Sequence, residues 1–192
     1  MAADASDKTV AKAKATIRRA VLARRTAMDP TVRHAHSAAI CARLLGLREV
    51  DDAAHVLAYR ATGSEVDVDA LAAAVRARGS RTSYPRVDGK HLVVIAVDDT
   101  TAFVPGYRAI DEPVGEPQPG DDLDVIVVPG VAFDLRGHRI GHGLGFYDRF
   151  LASRTTLRIG VAFDEQIIDG IPVEPFDASV DLVVTPTRTI RV

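Results

Sequence analysis

The sequence predicts a single α/β domain of three layers, in which helices cover both faces of a mostly parallel β-sheet. Short apolar runs rich in β-branched residues occur at well-separated places, as expected of strands that are buried on both faces. Segments with the spacing of amphipathic helices lie between these runs, and this alternation is typical of a parallel sheet. The runs are His55–Tyr59, Asp124–Val128, Leu157–Phe163 and, as the expected last strand, Asp181–Thr185.

Length and composition fit one globular domain over residues 1–192. The chain has 192 residues, of which 47% are hydrophobic and 26% charged, and its formal net charge is −2. This balance argues against binding of nucleic acid through bulk electrostatics. There is one cysteine, Cys41, and no long apolar run, so we expect no disulfide framework, no membrane association and a cytoplasmic location. The expected partners are small molecules, and the expected state is a monomer.

Two helices are expected at the N-terminus, where they form a helical hairpin. Met1–Ser6 has the small, polar composition of a frayed tail. Over Asp7–Met28 the apolar residues recur at spacings of seven, four and seven, which predicts one long helix. Asp29 and Pro30 end it, and Pro30 suits the first position of a second helix that Gly46 stops.

The chain between the first two buried runs predicts a helix and then an antiparallel hairpin. Asp67–Arg78 is alanine-rich and ends before Gly79, as a helix does. Two strand-like stretches then flank a turn with Asp-Gly at its tip, which favours a hairpin added to the sheet. Those stretches are Arg81–Pro85 and His91–Val97, and the proline- and glycine-rich Phe103–Gly120 should be an ordered connection.

The chemically most informative stretch follows the run Asp124–Val128. A loop is expected at once, carrying Arg139 and then glycine at every second position, before the helix-compatible Phe146–Leu151. Strand, glycine-rich turn and helix offer backbone N–H groups to an anion, so we expect a phosphate site. Arg139 can contact phosphate oxygens, and Asp148 can hold Mg²⁺ beside a polyphosphate. The glycines are Gly141, Gly143 and Gly145.

The same stretch also has a simpler interpretation. Three spaced glycines can serve only to let a strand pass tightly into a helix, with Asp148 on a solvated face. Neither the dinucleotide-binding GxGxxG nor the phosphate-binding GxxxxGK[ST] occurs in the chain. No better-known nucleotide motif therefore supports the phosphate site.

The segment PGVAFDLRGHRIGHGLGFYDRFL resembles the signature of the 5-formyltetrahydrofolate cyclo-ligase family over more than twenty residues. The resemblance implies a C–N ligase of one-carbon metabolism that cyclises 5-formyltetrahydrofolate to 5,10-methenyltetrahydrofolate. It also implies ATP as co-substrate, Mg²⁺ as cofactor, and release of ADP and phosphate by way of an N5 iminophosphate intermediate.

The resemblance assigns roles outside this segment as well. Lys14 and Arg18 match the family's N-terminal KxxLR, which is associated with ATP phosphates. Glu65 occupies the place of the acidic residue that ends the family's substrate loop, where a carboxylate can accept N–H groups from the pterin. Arg60, at the base of the same loop, is a second substrate-lining candidate. Asp177 matches an aspartate that is associated with Mg²⁺ alongside the aspartate of the signature.

Within the signature, the resemblance implies three sets of residues. The catalytic set is Arg139, Tyr147 and Asp148, and the last of these is also the first metal ligand. The ATP-binding set is Arg139, Gly141, His142, Gly143, Leu144, Gly145, Phe146 and Tyr147. The substrate-binding set is Gly143, Gly145 and Phe146, beside Arg60 and Glu65. The chain departs from the family pattern at Val68, Phe146 and Phe176, where threonine, tyrosine and histidine are usual.

Two other functions remain open from the sequence. A small-molecule kinase or NTPase could use the same glycine loop with a different acceptor. A binder of nucleotide or folate without catalytic activity could use the same fold. A purely structural role leaves Arg139 and Asp148 in a glycine-rich loop unexplained.

Overall fold

The computed structural model of the protein describes the backbone of residues 2–192 and the side chains from Thr9 onward. Within that range the α-helices are α1 (Ala2–Ala27), α2 (Pro30–Leu45), α3 (Arg48–Asp51), α4 (Asp69–Ala77) and α5 (Phe146–Leu151). Short 3-10 helices span Tyr107–Ala109 and Asp164–Gln166. No helix of this part of the chain combines the length and apolar character needed to cross a bilayer.

The strands fall into one large sheet and two small ones. The large sheet contains β1 (His55–Leu57), β2 (Arg81–Asp88), β3 (His91–Val97), β6 (Pro117–Gln118), β7 (Val125–Val128), β10 (Leu157–Val161), β12 (Leu182–Val184) and β13 (Thr189–Arg191). The small sheets contain β4 (Phe103–Pro105) with β5 (Asp111–Pro113), and β8 (Ala132–Asp134) with β9 (Arg139–Ile140) and β11 (Ile167–Ile168).

The large sheet has the order β13-β12-β10-β7-β1-β2-β3-β6. Its central strands, from β12 to β2, are parallel, and the outer strands β13, β3 and β6 are antiparallel to their neighbours. The predicted α/β class with a mostly parallel sheet is therefore confirmed. From β1 the chain first builds one half of the sheet and then returns to the other side of β1 as β7. Ligands bind at such a switch point, outside the carboxyl ends of the two strands.

Apolar layers lie on both faces of the large sheet because its strands are buried on both sides. Along β7, Val125 and Val127 belong to the cluster beneath α2 and α4, whereas Ile126 and Val128 belong to the cluster that contains Leu151 of α5. This alternation follows from the two-residue period of a strand. It explains why the run lacks the polar residues of a half-exposed strand.

The N-terminal helices follow each other as predicted, but they do not pack as a hairpin along their length. Helix α1 packs against β8 and the 3-10 turn 164–166, whereas α2 packs against α4 and β12. Val21 of α1 is buried in a separate small cluster with residues of β8 and β9. The expected tail is also wrong for Ala2–Ser6, where helical alanines precede Asp7; Met1 lies outside the described residues. Asp29 caps α2 by accepting from the Thr31 backbone N–H at 2.8 Å.

Two further expectations are corrected after β7. The chain does not enter the glycine loop at once, because the hairpin β8–β9 intervenes and places Arg139 on β9. The buried Asp134 carboxylate closes that hairpin by accepting from the backbone N–H groups of Arg136 at 2.9 Å and His138 at 3.0 Å. The strand β12 is not the last, since the chain reverses after Pro186 and adds β13 antiparallel to it.

Candidate active site

A cavity of about 990 Å³ opens at the switch point between the carboxyl ends of β1 and β7. Its walls come from α1, the loop after β1, the glycine loop, the β4–β5 hairpin and the segment before β12. Every residue to which the sequence assigned a role lines this one cavity. They are Lys14, Arg18, Arg60, Glu65, Arg139, Gly141, His142, Gly143, Leu144, Gly145, Phe146, Tyr147, Asp148 and Asp177.

The glycine loop presents bare backbone to the cavity. Gly143 and Gly145 have φ values of 88° and 66°, in the left-handed region that favours glycine. None of the described residues accepts a hydrogen bond from the backbone N–H groups of His142, Leu144 or these two glycines. Because α5 has six residues, its dipole adds little, and any anion site here depends on the loop N–H groups and nearby basic side chains.

Arg139 lies on β9 at the floor of this loop. It is 6% exposed, and its Nη2 donates to Asp148 Oδ1 at 2.7 Å. Its Nε is buried with no hydrogen-bond partner in the described part of the chain, and the same is true of the Tyr147 hydroxyl. Burial raises the pKa of the Tyr147 phenol, and the nearby Glu65 carboxylate raises it further, so the hydroxyl stays protonated. Two buried donors in one cavity wall thus remain available to a ligand.

Helix α1 supplies the second basic pair. Lys14 is 7% exposed, and its ammonium donates to Glu174 Oε2 at 2.7 Å and to Asp177 Oδ2. Arg18 donates from Nε to the Gly141 carbonyl at 2.7 Å, which fixes the helix against the glycine loop. These side chains are therefore part of the cavity wall and not of a solvated helix face.

The two candidate metal ligands are close neighbours. Asp148 Oδ1 pairs with Arg139 and also accepts from the Ala178 backbone N–H at 3.3 Å. Because Ala178 is the next residue after Asp177, this bond holds the two aspartates close together. Each aspartate uses one oxygen in its ion pair, and the other oxygen has no partner among residues 9–192. The described side chains contain no group of three potential ligands. Magnesium bound to a nucleotide commonly takes one or two carboxylates together with phosphates and water, so the pair fits that ion.

Glu65 lies in the loop between β1 and α4 and lines the same cavity. Its carboxylate accepts from the Thr62 backbone N–H at 3.0 Å and lies 3.1 Å from His142 Nε2. Glu65 precedes α4 by four residues, so it does not serve that helix as an N-terminal charge. Arg60 Nη1 donates to Asp69 Oδ2 at 2.6 Å, and its guanidinium carbon lies 4.8 Å from the centre of the Phe103 ring. These contacts hold the Arg60 side chain in the cavity wall.

The sequence did not identify several residues of the site. Glu174 and Asp177 both accept from the Lys14 ammonium. The sequence Glu-Pro-Phe-Asp, which contains both acidic residues, was the signal that could have identified Glu174. Arg25 of α1 is 3% exposed and donates to Ser64 Oγ at 3.0 Å and to the Gly130 carbonyl at 3.3 Å. It therefore ties together the loops that follow β1 and β7.

The roof of the cavity was also missed, because Phe103–Gly120 was expected only as a connection. The β4–β5 hairpin carries Tyr107, whose ring lies 5.4 Å from that of Phe146 in an edge-to-face contact. Glu112 braces the hairpin by accepting from the Val87 backbone N–H at 3.1 Å. A Cβ on Gly106 would lie 2.1 Å from the Glu112 carboxylate, so a larger residue there would displace the Glu112 side chain.

Comparison with known proteins gives this geometry a context. The sequence profile of the 5-formyltetrahydrofolate cyclo-ligase family matches residues 10–186. The 5-formyltetrahydrofolate cyclo-ligase of Mycolicibacterium smegmatis is 32% identical over 189 residues, covering 93% of this chain and 96% of the relative. The protein of the same name from Escherichia coli is 30% identical, covering 86% of this chain and 96% of the relative.

Solved structures agree with the sequence relatives. The 5,10-methenyltetrahydrofolate synthetase of Aquifex aeolicus is similar with a TM-score of 0.84 and 34% identity, covering 93% of this chain and 92% of that one. A synthetase of the same name from Mycoplasma pneumoniae has a TM-score of 0.72 at 22% identity, covering 90% of this chain and 98% of that one, and supports the fold. From the profile match and these relatives, the chain belongs to the 5-formyltetrahydrofolate cyclo-ligase family.

Proposed function

We propose that this chain catalyses the ATP-dependent cyclisation of 5-formyltetrahydrofolate to 5,10-methenyltetrahydrofolate, with release of ADP and phosphate. The observation that carries the proposal is that one cavity of about 990 Å³ is lined by a cluster of basic side chains and by a buried carboxylate. The basic side chains are those of Lys14, Arg18 and Arg139, which line the cavity with the glycine loop, and the carboxylate is that of Glu65. A reaction between a triphosphate and a pterin requires both in one space.

The triphosphate is assigned to the basic wall. The free N–H groups of residues 142–145 and the fork of Arg139 suit phosphate oxygens. Lys14 adds a compact positive charge, and Arg18 holds α1 against the Gly141 carbonyl. The aromatic rings of Phe146 and Tyr147, at the start of α5, adjoin the same loop.

The reduced pterin is assigned to the wall that carries Glu65. A carboxylate can accept two N–H donors from the aminopyrimidine edge, and burial strengthens such a contact. Glu65 is 9% exposed and is already oriented by Thr62 and His142. Gly143, Gly145 and Phe146, which line the same cavity, are assigned to both ligands, at the point where pterin and phosphate must meet.

The chemistry follows from this arrangement. The formyl oxygen attacks the γ-phosphorus of ATP, the bond to the β-phosphate oxygen breaks, and ADP leaves. The lone pair of N5 then forms the C=N bond of an iminium phosphate. N10 attacks this carbon, the C–O bond breaks with its electron pair leaving on phosphate, and the N10 proton is lost. Phosphoryl transfer of this kind requires positioning and charge neutralisation more than a protein nucleophile.

Three side chains have assigned tasks in these steps. Arg139 stabilises the negative charge of the transferring phosphoryl group. The Tyr147 hydroxyl, which stays protonated and lacks a partner in the described chain, donates to an oxygen of the reacting groups. Asp148 orients Arg139 by their ion pair and, with Asp177, would hold Mg²⁺. The ion, when bound, neutralises charge on the triphosphate.

The test is the absorbance of the methenyl product after enzyme, 5-formyltetrahydrofolate, ATP and Mg²⁺ are mixed. The proposal is supported if the absorbance rises in the complete mixture and does not rise in control reactions that each lack one component. ATP consumption without a folate requirement would indicate the kinase or NTPase alternative, and ligand binding with no turnover would indicate a binder. The monomeric state and the cytoplasmic location stay predictions.

A further inference from the structure

A second cavity, of about 790 Å³, adjoins the catalytic one where the end of α1, the start of α2 and the loop after β1 meet. Thr62 and His142 line both cavities and so form the boundary between them. Apart from His142, none of the residues to which the sequence assigned a role lines the second cavity. Its other polar lining residues are Arg25, Thr26, Asp29, Arg33 and Ser64.

Arg25 brings a buried positive charge to this second cavity. It is 3% exposed, and neutral groups hold it, since its Nε donates to the Ser64 hydroxyl and its Nη1 to the Gly130 carbonyl. Its Nη2 has no acceptor among residues 9–192, and no carboxylate in that range forms an ion pair with it. Buried charges are normally paired, because desolvation costs more than neutral hydrogen bonds return. Arg25 therefore lacks an ionic partner.

Arg33 of α2 brings a second guanidinium to the same cavity. Its side chain has no hydrogen-bond acceptor or ion-pair partner in the described part of the chain. Burial lowers the pKa of the Arg25 guanidinium; the Glu65 carboxylate and Tyr59 oppose this effect, whereas the positive charge of Arg33 adds to it. The two guanidiniums are therefore close enough to repel each other, and an anion between them would relieve that repulsion.

The remaining polar groups of the second cavity also suit an oxyanion. The hydroxyls of Thr26 and Ser64 lie 3.4 Å apart, and the Thr62 hydroxyl has no partner among the residues that the structure describes. Asp29 is the only carboxylate among the described lining residues. It already caps α2 by accepting from two backbone N–H groups of that helix. Donors and positive charge thus exceed the acceptors around this cavity.

We propose that the second cavity is a binding site for a phosphate group, free or as an ester, bridged by the guanidiniums of Arg25 and Arg33. The planar fork of arginine fits phosphate oxygens, and two guanidiniums can neutralise a phosphate dianion. The hydroxyls of Thr26, Thr62 and Ser64 can donate to the remaining oxygens. A volume of about 790 Å³ also accommodates the organic part of a small ester. The inference does not depend on the proposed function.

The test is a titration of the full chain followed by backbone amide NMR, without nucleotide, folate or Mg²⁺. Inorganic phosphate at constant ionic strength should shift the second-cavity amides, which are those of Thr26, Gly63 and Ser64. The catalytic-cavity amides of Gly143 and Gly145 report separately any phosphate bound at the glycine loop. A parallel titration with ribose 5-phosphate distinguishes the two sources. Tighter binding than that of inorganic phosphate at the second-cavity amides assigns an ester, and weaker binding assigns the free anion.

Substitutions test the charges of the second cavity, with urea unfolding as the check that each variant is folded. Arg33→Gln should raise the dissociation constant from the second-cavity amides about tenfold, as expected for one charged hydrogen bond, without changing the constant from the catalytic-cavity amides. Arg33→Lys, which keeps the charge but loses the fork, should raise it less. Asp29→Asn keeps a capping side chain and removes the negative charge, so it should tighten binding about twofold to fivefold.

Arg24→Gln is the matched control for Arg33→Gln. Arg24 is exposed on α1 beside Arg25 and lines neither cavity, so its replacement should leave the dissociation constant within about twofold. A loss of affinity as large as that of Arg33→Gln would show attraction by the overall charge of α1 and would overturn the proposal. Second-cavity amides that respond to neither compound, or a response of the catalytic-cavity amides alone, would overturn it as well. The titrations involve no turnover, so their result is independent of whether the proposed reaction occurs.

Discussion

Replacement of Arg139 by methionine separates the catalytic role of this residue from its structural role. Methionine retains most of the side-chain length and avoids the cavity that alanine would leave beneath Gly130. The charge, the ion pair with Asp148 and the free Nε are all lost. The side chains of this ion pair are 3% and 24% exposed, so the unpaired Asp148 keeps partial access to water.

The expected magnitudes follow from that burial. Removing one partner of a fully buried ion pair costs about 3–5 kcal/mol, and we expect about 2–3 kcal/mol here because Asp148 also accepts from the Ala178 N–H. Losing a preorganised donor to a developing negative charge costs about 2.7–4 kcal/mol in the transition state. At saturating ATP and folate, kcat should therefore fall at least about 100-fold in the folded variant.

The assay is the rate of methenyl absorbance at a temperature where urea unfolding shows the variant to be folded. Arg158→Met is a matched control, because Arg158 donates to the Leu151 and Ser179 carbonyls at 2.8 Å and 3.3 Å and does not line the cavity. It should lose stability while kcat stays within about twofold. A folded Arg139→Met enzyme with kcat within about threefold of the parent would refute the phosphoryl-binding role.

Three other predictions concern the remaining walls of the site and its support. Glu65→Gln should raise the KM for folate about tenfold and leave the KM for ATP unchanged; an unchanged folate KM would contradict the pterin assignment. Asp177→Asn should raise the Mg²⁺ concentration needed for half-maximal rate several-fold, as a titration at fixed ATP would show, and an unaltered requirement would exclude it as a ligand. Burial raises the pKa of Asp134, but hydrogen bonds from His138 and from the N–H groups of Ile171, His138 and Arg136 outweigh this and lower it below its usual value. Its contribution to stability is therefore present above the unfolded pKa of about 3.9 and is lost as the pH falls through the lower folded pKa. Asp134→Asn should therefore have a lower free energy of unfolding at pH 7, and that free energy, measured by urea unfolding, should change less at acid pH. A pH profile identical to that of the parent would argue against this role.

The parts of the fold that the sequence predicted are those specified by local patterns. The run Asp124–Val128 is apolar because both of its faces are covered, and Asp29-Pro30 marks a helix start by cap chemistry that needs no tertiary contact. Strand order depends on long-range packing, and periodicity does not report it. The β8–β9 hairpin was missed because its strands have three and two residues, too short to show an alternating pattern.

The same distinction between local patterns and long-range packing applies to the residues of the site. Arg139 and Asp148 stand in a contiguous motif with recognisable spacing, and the structure pairs them at 2.7 Å. Lys14 and Glu174 are 160 positions apart, so their contact exists only because α1 crosses the segment before β12. Tyr107 and Arg108 lie in a proline- and glycine-rich stretch without periodicity, and their place over the cavity depends on a turn that the Glu112 carboxylate braces.

The most direct test of the proposed chemistry is to follow the formyl oxygen. In a single turnover with Mg²⁺ and ATP, 5-formyltetrahydrofolate labelled with oxygen-18 in the formyl group is converted to product, and the released phosphate is analysed by mass. If the formyl oxygen attacks the γ-phosphorus, one labelled oxygen should appear in each phosphate formed. Unlabelled phosphate, with the label recovered in water, would contradict phosphoryl transfer to the formyl group and with it the assignment of the two cavity walls.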